Sequence, residues 1–192
     1  VIEFGTGTGR VTELYASDAG SVICFERSAH MIEKAQENLS RFPNKISFHQ
    51  QDNLTFMPGL APADIVIEGW SFGHVISELN MPVEETTARL LENYRKYTTD
   101  NGQMVIIETL GTNTAAAAAP KETLRLFYAL LEESYGFVRH VIRTDYSFPN
   151  SQEAERIMGY FFGEEMRRRL KQTPATIVPE YTGIWIKNCL SK

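Results

Sequence analysis

Residues 1–10 read VIEFGTGTGR. Gly5, Gly7 and Gly9 stand at every second position, directly behind a short apolar run that carries one carboxylate, Glu3. Residues without a side chain let the backbone take positive φ and let another group approach it closely, so this alternation marks a tight turn. The four residues before it read as a strand. The eight after it, RVTELYAS, read as a helix. A strand, a glycine turn and a helix in that order set the class that the rest of the chain is tested against.

The alternation continues. SVICFE (21–26) is a second strand, followed by a helix over 28–42 with Ser28 as its N-cap and Met31, Ile32, Ala35 and Leu39 as its apolar stripe. KISFHQQ and DIVIEGW are the third and fourth strands, SFGHVISEL a short helix, and residues 82–98 a clear helix with Pro82 at its start. GQMVIIETL (102–110) is the fifth strand. Such alternation implies a parallel sheet with right-handed crossovers. After Pro120 the order changes: a helix ending at Gly136, one long strand over 137–148, a helical stretch broken near Gly163, and a last strand over 176–188. The spacing therefore predicts an α/β fold, doubly wound, with a mostly parallel seven-stranded sheet. An antiparallel strand lies at one edge, helices cover both faces, and a helical insertion precedes the last strand. The stretch TNTAAAAAP (112–120) reads as a loop running into a helix.

The length, 192 residues, fits a single domain over 1–192, and 43% apolar residues can supply its core. The chain opens inside a strand without an initiator Met, so an N-terminal helix or cap is expected to be missing. A net charge of -5 argues against a nucleic-acid partner, which favours basic surfaces. The basic run RRRLK (167–171) reads as a solvated last helical turn. Cys24 and Cys189 have no zinc-like spacing and no metal is expected; they read as buried thiols of a cytoplasmic protein. No apolar run reaches the ~18 residues of a membrane span. Composition says nothing of oligomeric state.

Two readings compete for the glycine turn. A dinucleotide site wants G-x-G-x-x-G, whose third glycine would fall at position 10, and Arg10 stands there instead. G-x-G-x-G with a carboxylate two residues ahead places an anion beside the turn, where a cationic amino-acid group can sit. The segment EFGTGTG resembles the first motif of class I S-adenosylmethionine-dependent methyltransferases, the Rossmann-like methyltransferase domain. FERSAHMIEKA, QQDNLTF and ADIVIEGWSF resemble the ends of that family's second, third and fourth strands, in order. The likeness covers residues 1–110 and fades beyond. It implies S-adenosyl-L-methionine as cofactor, held by Glu3, Gly5, Gly7, Gly9, Glu26, Arg27, Met31, Asp52, Asn53 and Glu68. A carboxylate at position 26 suits ribose hydroxyls. Met31 serves equally as adenine contact or helix core. Asp52 and Asn53 suit the adenine amino group or a simple turn. Glu3 lies near the methionine amino group or in a structural ion pair.

The resemblance also implies in-line methyl transfer, which asks mainly for positioning and desolvation, with a base where the acceptor holds its proton tightly. The titratable candidates are His74, Glu68 and Tyr146, with Trp70 beside them and Glu108 in the fifth strand as a further option. Glu68 and Glu78 flank Trp70 in a way similar to the paired-glutamate loop of arginine methyltransferases, but Glu68 falls one position early, which turns its side chain the other way in an extended segment. EGWS (68–71) replaces the Pro-Pro-aromatic motif of nucleic-acid amino-methylating enzymes, and no cysteine follows strand four to serve a covalent thiolate mechanism. A small-molecule acceptor remains the expectation, against a nucleotide-dependent oxidoreductase or a non-catalytic cofactor-binding protein on the same fold.

Overall fold

A computed structural model describes residues 1–189. The elements run β1 (Ile2–Phe4), α1 (Arg10–Tyr15), β2 (Val22–Glu26), α2 (Ala29–Asn38), β3 (Ile46–Gln50), β4 (Ala63–Gly69), α3 (Phe72–Glu78), α4 (Val83–Lys96) and β5 (Thr98–Thr112). There follow α5 (Glu122–Ala129), continued by a π-turn at Leu130–Ser134, β6 (Val138–Arg143), β7 (Tyr146–Ser147), α6 (Ser151–Phe162), α7 (Glu164–Gln172), β8 (Ile177–Val178) and β9 (Glu180–Asn188). Seven strands form one sheet in the order β3-β2-β1-β4-β5-β9-β6. β1 to β5 are parallel, with Phe4 opposite Phe25 on one side and Glu68 on the other. β9 runs against β5: Gln103 bonds Asn188 at one end and Thr109 bonds Glu180 at the other. The antiparallel strand, β9, thus lies toward one end of the sheet, between β5 and β6.

The chain divides into two compact units. The first comprises Val1–Glu108, Lys121–His140 and the residues from Ile184 on; the second comprises Thr109–Pro120 and Val141–Gly183. In the first, period-two alternation along β1 sends Ile2 and Phe4 to one face and Glu3 to the other. Phe4 is the hub of an aromatic core, with ring centroids 5.1–6.0 Å from Phe25, Phe72, Tyr94 and Tyr97. The two buried tyrosines keep hydrogen bonds, Tyr94 Oη donating to the Val105 carbonyl and Tyr97 Oη accepting from the Met57 N–H. Helix ends follow local rules. Ser28 Oγ accepts from the Met31 N–H, as the sequence predicts. α4 begins after Pro82, with Glu84 and Glu85 in its first turn and Arg95 and Lys96 in its last, each sign matching the helix dipole.

The second unit has its own core of Ala154, Met158, Met166, Leu170 and Val178, with Tyr146, Phe148 and Ala175 packed against it. Gly163, at φ 86, separates α6 from α7 as expected. Arg167 and Arg168 of the basic run are neutralised by Glu164 and Glu165 three residues earlier.

Two expected strands are each divided. The run 137–148 yields β6 and the short β7, which pairs with β8 in a separate two-stranded sheet. Asp145 interrupts it: its carboxylate accepts from the Arg143 guanidinium and from the Glu180 N–H. The run 176–188 breaks at Pro179, which has no N–H to give a ladder. β5 starts at Thr98, four residues before the expected strand, because α4 stops at Lys96 and the chain re-extends at once.

Candidate functional site

The site is built in the first unit at the carboxyl ends of β1 to β4, where open α/β sheets bind their ligands. All three glycines of the turn have positive φ, 64° at Gly5, 57° at Gly7 and 84° at Gly9. Their surroundings differ. A Cβ on Gly5 would run into the Ser71 side chain, and one on Gly9 would come within 2.6 Å of Leu39 Cδ1. A Cβ on Gly7 would meet nothing closer than the Gly5 carbonyl oxygen at 4.0 Å. Gly5 and Gly9 are therefore packed against protein, while Gly7 faces open space.

Glu26 borders that space. One carboxylate oxygen accepts from the Gly7 N–H at 2.9 Å, the other from the Ser28 N–H at 2.8 Å. Each oxygen has a second lone pair available, the pattern that suits a vicinal diol. Asp52 accepts from the Leu54 N–H and shapes its own turn. Asn53 donates to Ser71 Oγ at 3.2 Å, and its carbonyl accepts from Asn93. Ser71, which sequence reasoning passed over, ties the ends of β1, β3 and β4 together through the Phe4 carbonyl, Asn53 and Glu68. Its role depends on Phe4 and Asn53, 67 and 18 residues away, as well as on nearby Glu68, and no local signal marks it. Arg27 is exposed, and its carbonyl accepts from the Gln50 side chain. Met31 is 40% exposed on the first turn of α2.

Glu3 lies under α1. It is buried and accepts from the Thr12 and Tyr15 hydroxyls. Burial raises its pKa to about 7, against the opposing effect of those hydrogen bonds. The same burial, with Glu3 nearby, pushes the Cys24 thiol up to about 12, so this cysteine is an inert core residue.

Glu68 is fully buried. It accepts from the N–H groups of Ser71 and Phe72 and from Ser71 Oγ, while its second oxygen has no hydrogen-bond partner among the described residues. Glu108 takes the next amide of the same helix, that of Gly73. Two carboxylates, from β4 and β5, thus hold three successive N–H groups at the start of α3. Desolvation raises the pKa of Glu68. His74 projects outward from α3 with its side chain 77% exposed, 3.8 Å from Glu78. Tyr146 belongs to the second unit, where its ring stacks with Phe148 and meets Phe162 edge-on. The structure thus gathers Gly5, Gly7, Glu26, Asn53 and Ser71 around one turn, holds Glu3 and Glu68 beneath neighbouring helices, and leaves His74 at the surface.

Residues 1–102 match the family described as methyltransferase domain. Over 92 residues, 48% of the chain, it is 30% identical to the ribosomal RNA small subunit methyltransferase A of Shouchella clausii (strain KSM-K16), of whose length the match spans 30%. Among solved structures it is similar to the N-methyltransferase NodS of Bradyrhizobium japonicum WM9, with a TM-score of 0.57 and 13% identity, covering 99% of this chain and 85% of that one. It is also similar to DhpI in its SAH complex, with a TM-score of 0.55 and 17% identity, covering 97% and 75%. At such identities these structures agree in fold. The family match spans more than half of the sequence and includes the glycine turn and all four strand ends described above: the chain belongs to the methyltransferase domain family.

Proposed function

We propose that this methyltransferase passes the methyl group of S-adenosylmethionine to a small-molecule acceptor, with residues 1–192 acting as one functional domain. The enzyme class and its cofactor come with the family; the acceptor class and the residue roles are the proposal. The observation that carries the site is Gly7, a residue in left-handed conformation with open space on its side-chain face and the Glu26 carboxylate at its amide. A cofactor can approach the backbone there, unlike at Gly5 and Gly9, whose side-chain faces are packed against protein. In this reading Glu26 holds the ribose hydroxyls, Asp52 and Asn53 face the adenine, Met31 covers it, and Gly5 and Gly9 keep the turn in shape. Arg27 lines the same strand end. Glu3 fixes α1 below the turn through Thr12 and Tyr15.

When bound, the cofactor supplies a sulfonium-activated methyl group open to in-line displacement. The chain contributes position: Glu68 orients the turn after β4 by holding the amides of Ser71 and Phe72. His74, outward-facing on that same helix, is the proposed proton acceptor, with Tyr146 the second candidate. A small acceptor is favoured because the net charge is -5 and Arg167 and Arg168 are already paired, leaving little basic surface for a phosphate backbone.

Calorimetric titration with S-adenosylhomocysteine tests the cofactor site. Glu26→Ala is expected to weaken binding by roughly 1.5–3 kcal/mol, the value of a charged hydrogen-bond acceptor, with the fold intact. Unchanged affinity removes Glu26 from the site. The acceptor class is tested by S-adenosylhomocysteine release against a small-molecule library and against RNA; turnover on RNA alone overturns it. With an acceptor in hand, His74→Gln should lower turnover by about 10²–10⁴ and leave cofactor affinity alone.

A further inference from the structure

Arg10 opens α1 directly behind the glycine turn, and the helix itself gives no reason for it. A cation at the first helical position stands against the helix dipole. Arg41, Arg95, Arg125, Arg139 and Arg156 each pair with a carboxylate. Among the described residues no carboxylate pairs with Arg10; its guanidinium lies over the indole of Trp70, 4.4 Å from the ring centroid.

Trp70 is unusual in its own right. Its φ is +54°, a region that bulky side chains avoid. The other non-glycine residues with positive φ, Asn44 and Asn113, are of the type that tolerates it. The strain is held by what surrounds it. The Trp70 N–H donates to the Ile107 carbonyl at 2.8 Å, and the next three amides are held by Glu68 and Glu108. The turn after β4 is also pressed onto the glycine turn: Gly69 leaves no room for a Cβ beside Val11, and Gly5 none beside Ser71. A strained backbone so heavily constrained serves a purpose that an ordinary turn would not. Here its product is an indole seat that keeps a planar cation, one residue past Gly9, free of any carboxylate of the described chain.

We propose that Arg10, held over the Trp70 ring, recognises the carboxylate at the amino-acid end of the cofactor, and that Trp70 is a positioning residue acting through it. This rests on the methyltransferase reading above. A guanidinium offers a fixed fork of donors that matches a carboxylate in two-point contact, and the ring beneath it limits where the fork can lie before the ligand arrives.

The test compares two ligands on the full chain by calorimetry. S-adenosylhomocysteine carries the amino-acid end; 5′-methylthioadenosine has the same adenosine and thioether without it. Wild-type protein should prefer S-adenosylhomocysteine. Arg10→Gln should lower its affinity roughly 10–100-fold while 5′-methylthioadenosine binds as before, with the melting temperature unchanged. Arg10→Lys, which keeps the charge but not the fork, should fall between. Trp70→Gly relieves the positive φ and removes the seat, so it should lose the same preference without losing stability. Equal affinity of wild type for the two ligands, an Arg10→Gln protein that keeps the preference, or equal weakening of both ligands would each overturn the proposal. Wild-type protein that binds neither overturns the cofactor reading itself, and this proposal with it.

Discussion

Gly5 and Gly7 share a conformation and differ in what they face, and the difference separates folding from binding. Gly5→Ala drives a methyl group into Ser71, so loss of stability is expected to exceed the ~1–2 kcal/mol of the left-handed backbone alone. Gly7→Ala meets no protein atom; it should cost about that backbone term and should, in addition, abolish tight binding of S-adenosylhomocysteine. Urea denaturation and calorimetry on the pair decide this, and equal loss of stability in the two with normal binding in Gly7→Ala would place the ligand elsewhere. Glu3 carries a prediction about pH. Its proton is held more tightly folded, to about 7, than unfolded, near 4.5. The stabilisation it gives is complete below the unfolded value and is lost as pH rises through the folded one. Glu3→Gln, whose amide Thr12 and Tyr15 can still bond, should make stability between pH 5 and 8 flatter than in wild type by roughly 2–3 kcal/mol, measured by urea titration at both pH values. An unchanged slope would mean that Glu3 ionises normally. The sequence makes such residues visible unevenly. Glu26 and Asp52 stand out because a strand end followed by a helix or turn is a local pattern. Ser71 does not, since two of its partners, Phe4 and Asn53, lie 67 and 18 residues away.

At the scale of the element, α3 shows how a short helix is fixed in place. Its seven residues are too few to be stable on their own, and Glu68 and Glu108 hold its first amides from below. Gly73 permits this: a Cβ there would lie 2.7 Å from a Glu108 carboxylate oxygen. Gly73→Ala is expected to cost about 1–3 kcal/mol through overpacking and to speed hydrogen exchange at residues 71–73. Exchange rates equal to wild type would show that the carboxylates are incidental to the helix. Helix and strand periods placed α3 and its neighbours correctly, since period and turn residues are short-range signals. The same signals joined β6 to β7 and β8 to β9. Pro179 was there to be read, but the break at Asp145 depends on Glu180, 35 residues away, and had no local mark.

For the whole molecule, the division into two units was not legible, for a definite reason. Of its four boundaries, those after Glu108, His140 and Gly183 fall inside β5, β6 and β9, where no linker composition marks them, while the fourth, after Pro120, falls in the loop before α5. The second unit can nonetheless be probed by itself. Met158→Ala should cost about 2–5 kcal/mol in its core and accelerate exchange in α6 and α7, while amides of β1 to β4 keep their protection. Loss of protection spread evenly over both sets would show a single cooperative core. The buried carboxylates have a further effect at this scale. Glu3 and Glu68 both hold a proton more tightly folded than unfolded, so the chain takes up protons from its buffer as it folds at mildly acidic pH. Heats of unfolding measured near pH 6 therefore contain the ionisation enthalpy of whatever buffer is used. Scans in two buffers of unlike ionisation heat, at one pH and ionic strength, should differ by the heat of the protons exchanged, and equal heats would mean that these carboxyls ionise alike in both states.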